Sequence, residues 1–171
     1  MPQLIRDRAV VADPWTLLPQ GASLADIPVG LPAIVPLALW QAERSALLAR
    51  SDTGVWLGPA DDPAELAQDI AVLPVIAVDF PKFTDGRAYS TGRLLRERYG
   101  FAGELRAIGD VLRDQLFALA QCGFNAFAIR ADRSAAEAIA GLDDFTGVYA
   151  PTTKTPQPWF RRRKNGATPA G

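Results

Sequence analysis

Apolar residues fall in short, almost unbroken runs, separated by stretches where they recur at helical spacing. The runs are 34–40, 54–57, 74–80, 105–108, 126–129 and 147–149. The strongest is 74–80 (PVIAVDF), which is β-branched and almost wholly apolar. Runs without a polar face predict parallel strands covered on both sides. The intervening segments predict helices. One lies over 40–49. A second, over 64–70, is opened by Asp61-Asp62-Pro63, with acids and an early proline where helices start. A third covers 90–99, with Leu94 and Leu95 on one face, arginines elsewhere and Gly100 as its stop. A fourth, 110–122, carries Val111, Leu112, Gln115, Leu116 and Leu119 at helical spacing, with Gly123 behind it. A short Ala-rich helix follows a cap near Ser134.

Alternating strands and helices imply right-handed βαβ units and an α/β fold. The expected architecture is an open, mostly parallel sheet or a partial βα-barrel. Five or six strands are too few for a closed eightfold barrel, and the pattern leaves the strand order open. Residues 1–150 form one domain. Its first 31 residues comprise a small hairpin over 4–11, turning at Arg6-Asp7-Arg8, and an irregular Pro- and Gly-rich arm over 13–31. Residues 151–171 are Pro-rich and then basic, and are expected to form a flexible tail, loosest beyond Pro158.

Composition narrows the chemistry. The 171 residues carry a net charge of −1, so no bulk basic field recruits nucleic acid or anionic lipid. No apolar run reaches the roughly 18 residues of a membrane span. The Met-Pro-Gln-Leu-Ile-Arg-Asp-Arg start has no apolar core, so no signal peptide and a cytoplasmic location are expected. The single cysteine, Cys122, cannot form an intramolecular disulfide, and histidine is absent. A zinc site, a four-thiolate iron–sulfur cluster, His-held haem and any Ser–His or Cys–His nucleophile pair therefore lack their residues. Neither GxxxxGK[ST] nor GxGxxG occurs. The expectation is no metal and no cofactor.

Candidate chemistry concentrates in 78–100, VDFPKFTDGRAYSTGRLLRERYG. A strand ends at Asp79, and a loop with Lys82, Asp85 and Arg87 leads to a helix that Ser90 or Thr91 could cap. Ligands of α/β proteins bind beyond the carboxyl ends of strands. The next strand end brings Arg106, Asp110 and Arg113. Arginine forks suit a carboxylate, sulfate or phosphate. The candidate ligand-binding set is thus Asp79, Lys82, Asp85, Arg87, Arg106, Asp110 and Arg113. The plainer alternative is a polar surface loop, with Arg93, Arg96 and Arg98 as a solvated helix face. Cys122 suits a buried structural thiol, and Trp15, Trp40 and Trp56 suit packing. Trp159-Phe160 beside Arg161-Arg162-Arg163-Lys164 is either a docking element or a solvating tail.

Residues 79–127 also resemble the domain of unknown function 934 family. The blocks DFPKFTDGR, LLRERYG and GELRAIGDVLRDQ stand in the family's order. IRDR…VADPWTLL and IVPLALW are similar to it as well, so the likeness runs to about Tyr149 and leaves out the tail. The resemblance implies a cytosolic bacterial protein encoded among genes for assimilatory sulfate and sulfite reduction. Some members carry an oxidoreductase label, which is genomic association rather than mechanism, and no catalytic residues transfer. The first functional expectation is an accessory protein that binds sulfite reductase, another sulfur-assimilation enzyme or a small anion, with no nucleic acid and no membrane as partner. The alternative is a small enzyme of Asp/Arg chemistry, with Asp79 or Asp110 as base and Arg87 or Arg113 as electrophile. A flavin or nicotinamide oxidoreductase has no fingerprint here.

Overall fold

The computed structural model describes residues 3–81, 86–129 and 134–143. The strand expected at 147–149, the tail 151–171, and the site candidates Lys82 and Asp85 lie outside the described residues. The described strands are β1 (Gln3–Arg6), β2 (Ala9–Ala12), β3 (Thr16–Leu17), β4 (Ala33–Pro36), β5 (Thr53–Leu57), β6 (Val75–Phe80), β7 (Glu104–Gly109) and β8 (Ala126–Phe127). They form one curled half-barrel sheet in the order β2-β1-β8-β7-β6-β5-β4-β3. From β3 to β8 every strand lies parallel to its predecessor and beside it. The strand order is therefore simple consecutive winding. Right-handed crossovers that all step the same way place their helices on one face. β1 then adds antiparallel to β8, and β2 forms the outer edge.

The hairpin matches its expected turn. Asp7 and Arg8 hold φ of 50° and 68°, the doubly left-handed backbone of a two-residue turn that matches strand twist. The arm is less irregular than its composition suggests. It contributes β3 and a 3-10 turn, Leu24–Asp26, and the Leu18 carbonyl accepts a 2.8 Å hydrogen bond from Trp56 Nε1.

The strands are apolar on both faces, as expected. Val35, Val55, Ile76, Val78, Leu105, Ala107 and Phe127 join the main core under the helices. Ile34, Trp56, Val75, Ala77 and Ile108 form the other face, with Trp15 of the arm packed on it.

The helices are α1 (Leu37–Ala42), α2 (Arg44–Leu48), α3 (Gly86–Glu97), α4 (Leu116–Gln121) and α5 (Ala135–Ala138). Several expected boundaries move. The run 34–40 divides at Pro36: the strand ends there and Leu37 opens α1. A helix with a deeply buried face is locally as apolar as a strand, so the run gave no division. The segment 64–70 is a 3-10 turn, Pro63–Asp69, begun where Asp62 accepts from the Ala64 N–H at 2.9 Å. The segment 110–122 is a 3-10 turn, Arg113–Gln115, followed by α4. Its glycine stop is as expected. Gly123 has φ of 102°, its N–H donates to Ala120 and the Phe124 N–H donates to Leu119, which is the Schellman pairing. α3 starts at Gly86, so neither Ser90 nor Thr91 is its cap. Ser134 does cap α5, accepting from the Glu137 N–H.

One staple had no sequence signal. Asp69, 1% exposed, accepts from Trp40 Nε1 at 2.8 Å and from the Arg44 guanidinium. Arg44, then Trp40, hold its carboxyl below the usual range against the opposing effect of burial. It ties α1 and α2 to the connection between β5 and β6.

Candidate functional site at the carboxyl ends of the strands

Consecutive winding leaves no switch point in the sheet, so the candidate site is the whole carboxyl end, as in βα-barrels. β6 ends in Asp79-Phe80. The Phe80 carbonyl accepts a 2.7 Å bond from the Asp110 N–H. Between the two ends sits Gly109, with φ of 90°. A Cβ there would collide with Asp79 Oδ1 and the Phe80 carbonyl. Only glycine lets the end of β7 fold this closely over the Asp79 carboxylate. Burial pushes the Asp79 carboxyl above its ordinary range. Phe80 turns the other way, meeting Tyr89 and Phe124 edge-on at 5.4 and 5.7 Å.

The structure brings some of the candidates together and separates others. Asp79 and Arg87 line one narrow crevice with Gly58, Pro59 and Thr91. Asp110 is the next strand end, joined to Phe80 by its backbone. Arg113 lines a separate cavity of about 300 Å³, between the loop after β7 and the start of α5. Its neighbours there are Leu112, Asp114, Ser134, Glu137 and Ala138. Arg106 is apart from all of these. It sits mid-strand in β7, opposite Ala77, 2% exposed. Its Nη1 donates to Asp13 at 2.8 Å and its Nη2 faces Glu104 at 3.3 Å. Nε has no hydrogen-bond partner.

Three features escaped sequence reading. Asp114, from the same turn, and Ser134 and Glu137, from the start of α5, line the cavity with Arg113; the cap at Ser134 was legible, but its position beside the β7 loop needed the strand order. Tyr89, whose hydroxyl is hydrogen-bonded by Gln115, is pushed up chiefly by burial, between α3 and α4. Arg96 is not solvated as its helix pattern suggested. It donates to the carbonyls of Gly123, Phe101 and Gly103 at 2.9, 2.8 and 2.9 Å, and burial lowers its hold on its proton. Cys122 is buried, as expected.

A singly wound α/β half-barrel with mixed-charge strand ends is therefore the class of protein. The chain belongs to the family described as "Bacterial protein of unknown function (DUF934)", whose profile matches residues 54–160. No curated protein and no solved structure matches it. Among the described residues, no helix is long and apolar enough to cross a membrane.

Proposed function

We propose that this protein is an accessory component of assimilatory sulfite reduction, acting in the cytoplasm by docking sulfite reductase on the carboxyl end of its sheet. The observation that carries the reading is the cavity beside Arg113. Its exposed arginine stands with Asp114 and Glu137, so both charge signs are presented together. Two carboxylates oppose a free dianion such as sulfite, whereas alternating charge suits a polar protein surface, where it sets orientation and partner choice. The choice of partner rests on what the resemblance to this family implies, an encoding among sulfite-reduction genes.

The test is complex formation between the purified full chain and sulfite reductase, followed by calorimetric titration. Reversing the central charge with Arg113→Glu should weaken the complex at least tenfold and leave the thermal midpoint nearly unchanged. A thermal-shift series with sulfite and sulfate should give little or no shift. Failure of the chain to bind the reductase under any salt condition overturns the reading.

A second reading rests on Asp79, whose carboxyl is raised above its ordinary range by burial and which shares a crevice with Arg87. That pair suits general acid–base chemistry. Under this reading Asp79→Asn abolishes any effect of the protein on reductase turnover while leaving the complex intact. Under the docking reading Asp79→Asn leaves both unchanged.

A further inference from the structure

The opposite end of the sheet carries a second cavity. It is half-open, about 510 Å³, and lies at the amino ends of β7 and β8. Its position follows from its walls. Asn125 immediately precedes β8 and bonds Leu105 of β7 in both directions. Gly123 ends α4. Asp7 and Arg8 are the hairpin turn, and the Asp7 N–H donates to the Asn125 carbonyl at 3.0 Å. Ala120, Phe124, Phe127 and Leu142 supply apolar lining.

The polar members of this lining are Asp7, Arg8, Asn125 and Arg96, of which Arg96 is the charge held in place by the backbone. Its Nε and Nη1 are held by three backbone carbonyls, and its guanidinium lies 5.4 Å from the centre of the Phe101 ring. Nη2 donates to none of the described residues, and no described carboxylate forms an ion pair with Arg96. The guanidinium is thus fixed in place by neutral dipoles, and the acid whose charge reaches it is Asp7 of the same lining, offset there by Arg8. Asp7 and Arg8, of opposite sign, are both exposed at the hairpin turn.

We propose that this cavity binds a small molecule that joins a carboxylate to an apolar body. The carboxylate would take the remaining Nη2 donors, and the apolar body would lie on Phe124, Phe127 and Leu142. A preformed pocket of this size, mainly apolar with one fixed polar anchor, is the usual form of a small-molecule site. With Nε and Nη1 already committed, the two Nη2 hydrogens remain to donate charge-assisted hydrogen bonds to an anionic oxygen. The cavity lies at the opposite end of the sheet from the Arg113 site, so the two readings stand or fall separately.

The test uses three probes on the full chain: octanoate, octan-1-ol and acetate. Octanoate should raise the thermal midpoint and bind measurably by calorimetry. Octan-1-ol, lacking the carboxylate, and acetate, lacking the body, should each bind at least tenfold more weakly. Arg96 itself supports three carbonyls, so the cavity is blocked from another wall. Ala120→Phe should retain the circular dichroism of the native fold and lose octanoate binding. Octan-1-ol binding as tightly as octanoate overturns the proposal. So does unchanged octanoate binding in a folded Ala120→Phe protein, or the absence of binding by octanoate.

Discussion

At the scale of single residues, Asp79 is the group whose ionisation and fold are most directly opposed. Its carboxyl is raised above the ordinary value of 3.8 because burial disfavours the charge. In the unfolded chain it loses its proton near 3.8; in the folded chain it does so later. Across that window the native state holds more protons, so its stability falls as pH rises and stays lower above it. Asp79→Asn removes the charge and should make the protein more stable than the parent at pH 7. Its advantage should shrink as the pH is lowered towards 3.8. Urea unfolding of both proteins between pH 3 and pH 7 measures this. An Asn variant less stable at pH 7 would mean that the carboxylate is held by a native partner. Arg106 shows the converse arrangement, a charge buried within a strand and balanced by Asp13 and Glu104. Its place in the predicted strand 105–108, just before the candidate strand end, put it among the ligand-binding candidates. Its actual role depends on Asp13, ninety-three residues upstream, and no local pattern reports that.

Among elements, the junction of β6 and β7 is what shapes the candidate site. Gly109 folds over Asp79 with a backbone that L side chains rarely adopt. Gly109→Ala should cost more than about 1 kcal/mol, from strain and collision together. Gly86, at the start of α3, has nothing within 4 Å of where a Cβ would lie. Gly86→Ala should therefore be neutral or stabilising by about 0.5–1 kcal/mol. Denaturant midpoints for the two variants give the contrast, and equal losses would contradict the close approach at Gly109. The parallel strands themselves were legible, because residues 75–80 and 105–108 are apolar apart from Asp79 and Arg106 and show no regular polar alternation. Helix edges were less so. Leu37-Ala-Leu-Trp40 is apolar enough for a strand, and only the backbone at Pro36 turns it into α1. Arg96 looked solvated because its helix neighbours are charged. Its burial comes from Phe101, Gly103 and Gly123, which reach it only after α3 and α4 pack.

For the whole molecule, the decisive property is consecutive winding, which sequence alone left open. Apolar runs say that strands are covered, but not in which direction each crossover steps. Here all steps agree, so the described helices pack on one face and the strand carboxyl ends share one edge. Asp79, Arg87, Asp110 and Arg113 occupy that edge, as their positions at strand ends implied. Asp79 and Arg87 share a crevice and Arg113 lines a separate cavity, while Asp110 lines neither, and that cavity is walled by Leu112 and Asp114 and by the start of α5. The central claim is that this edge docks sulfite reductase. Hydrogen exchange of the full chain, measured by mass spectrometry with and without the reductase, tests it most directly. The account predicts slowed exchange in 110–116 and 134–142, with 120–128 at the opposite end unchanged. Protection confined to 120–128 and the hairpin turn at Asp7-Arg8, or none anywhere, would contradict it.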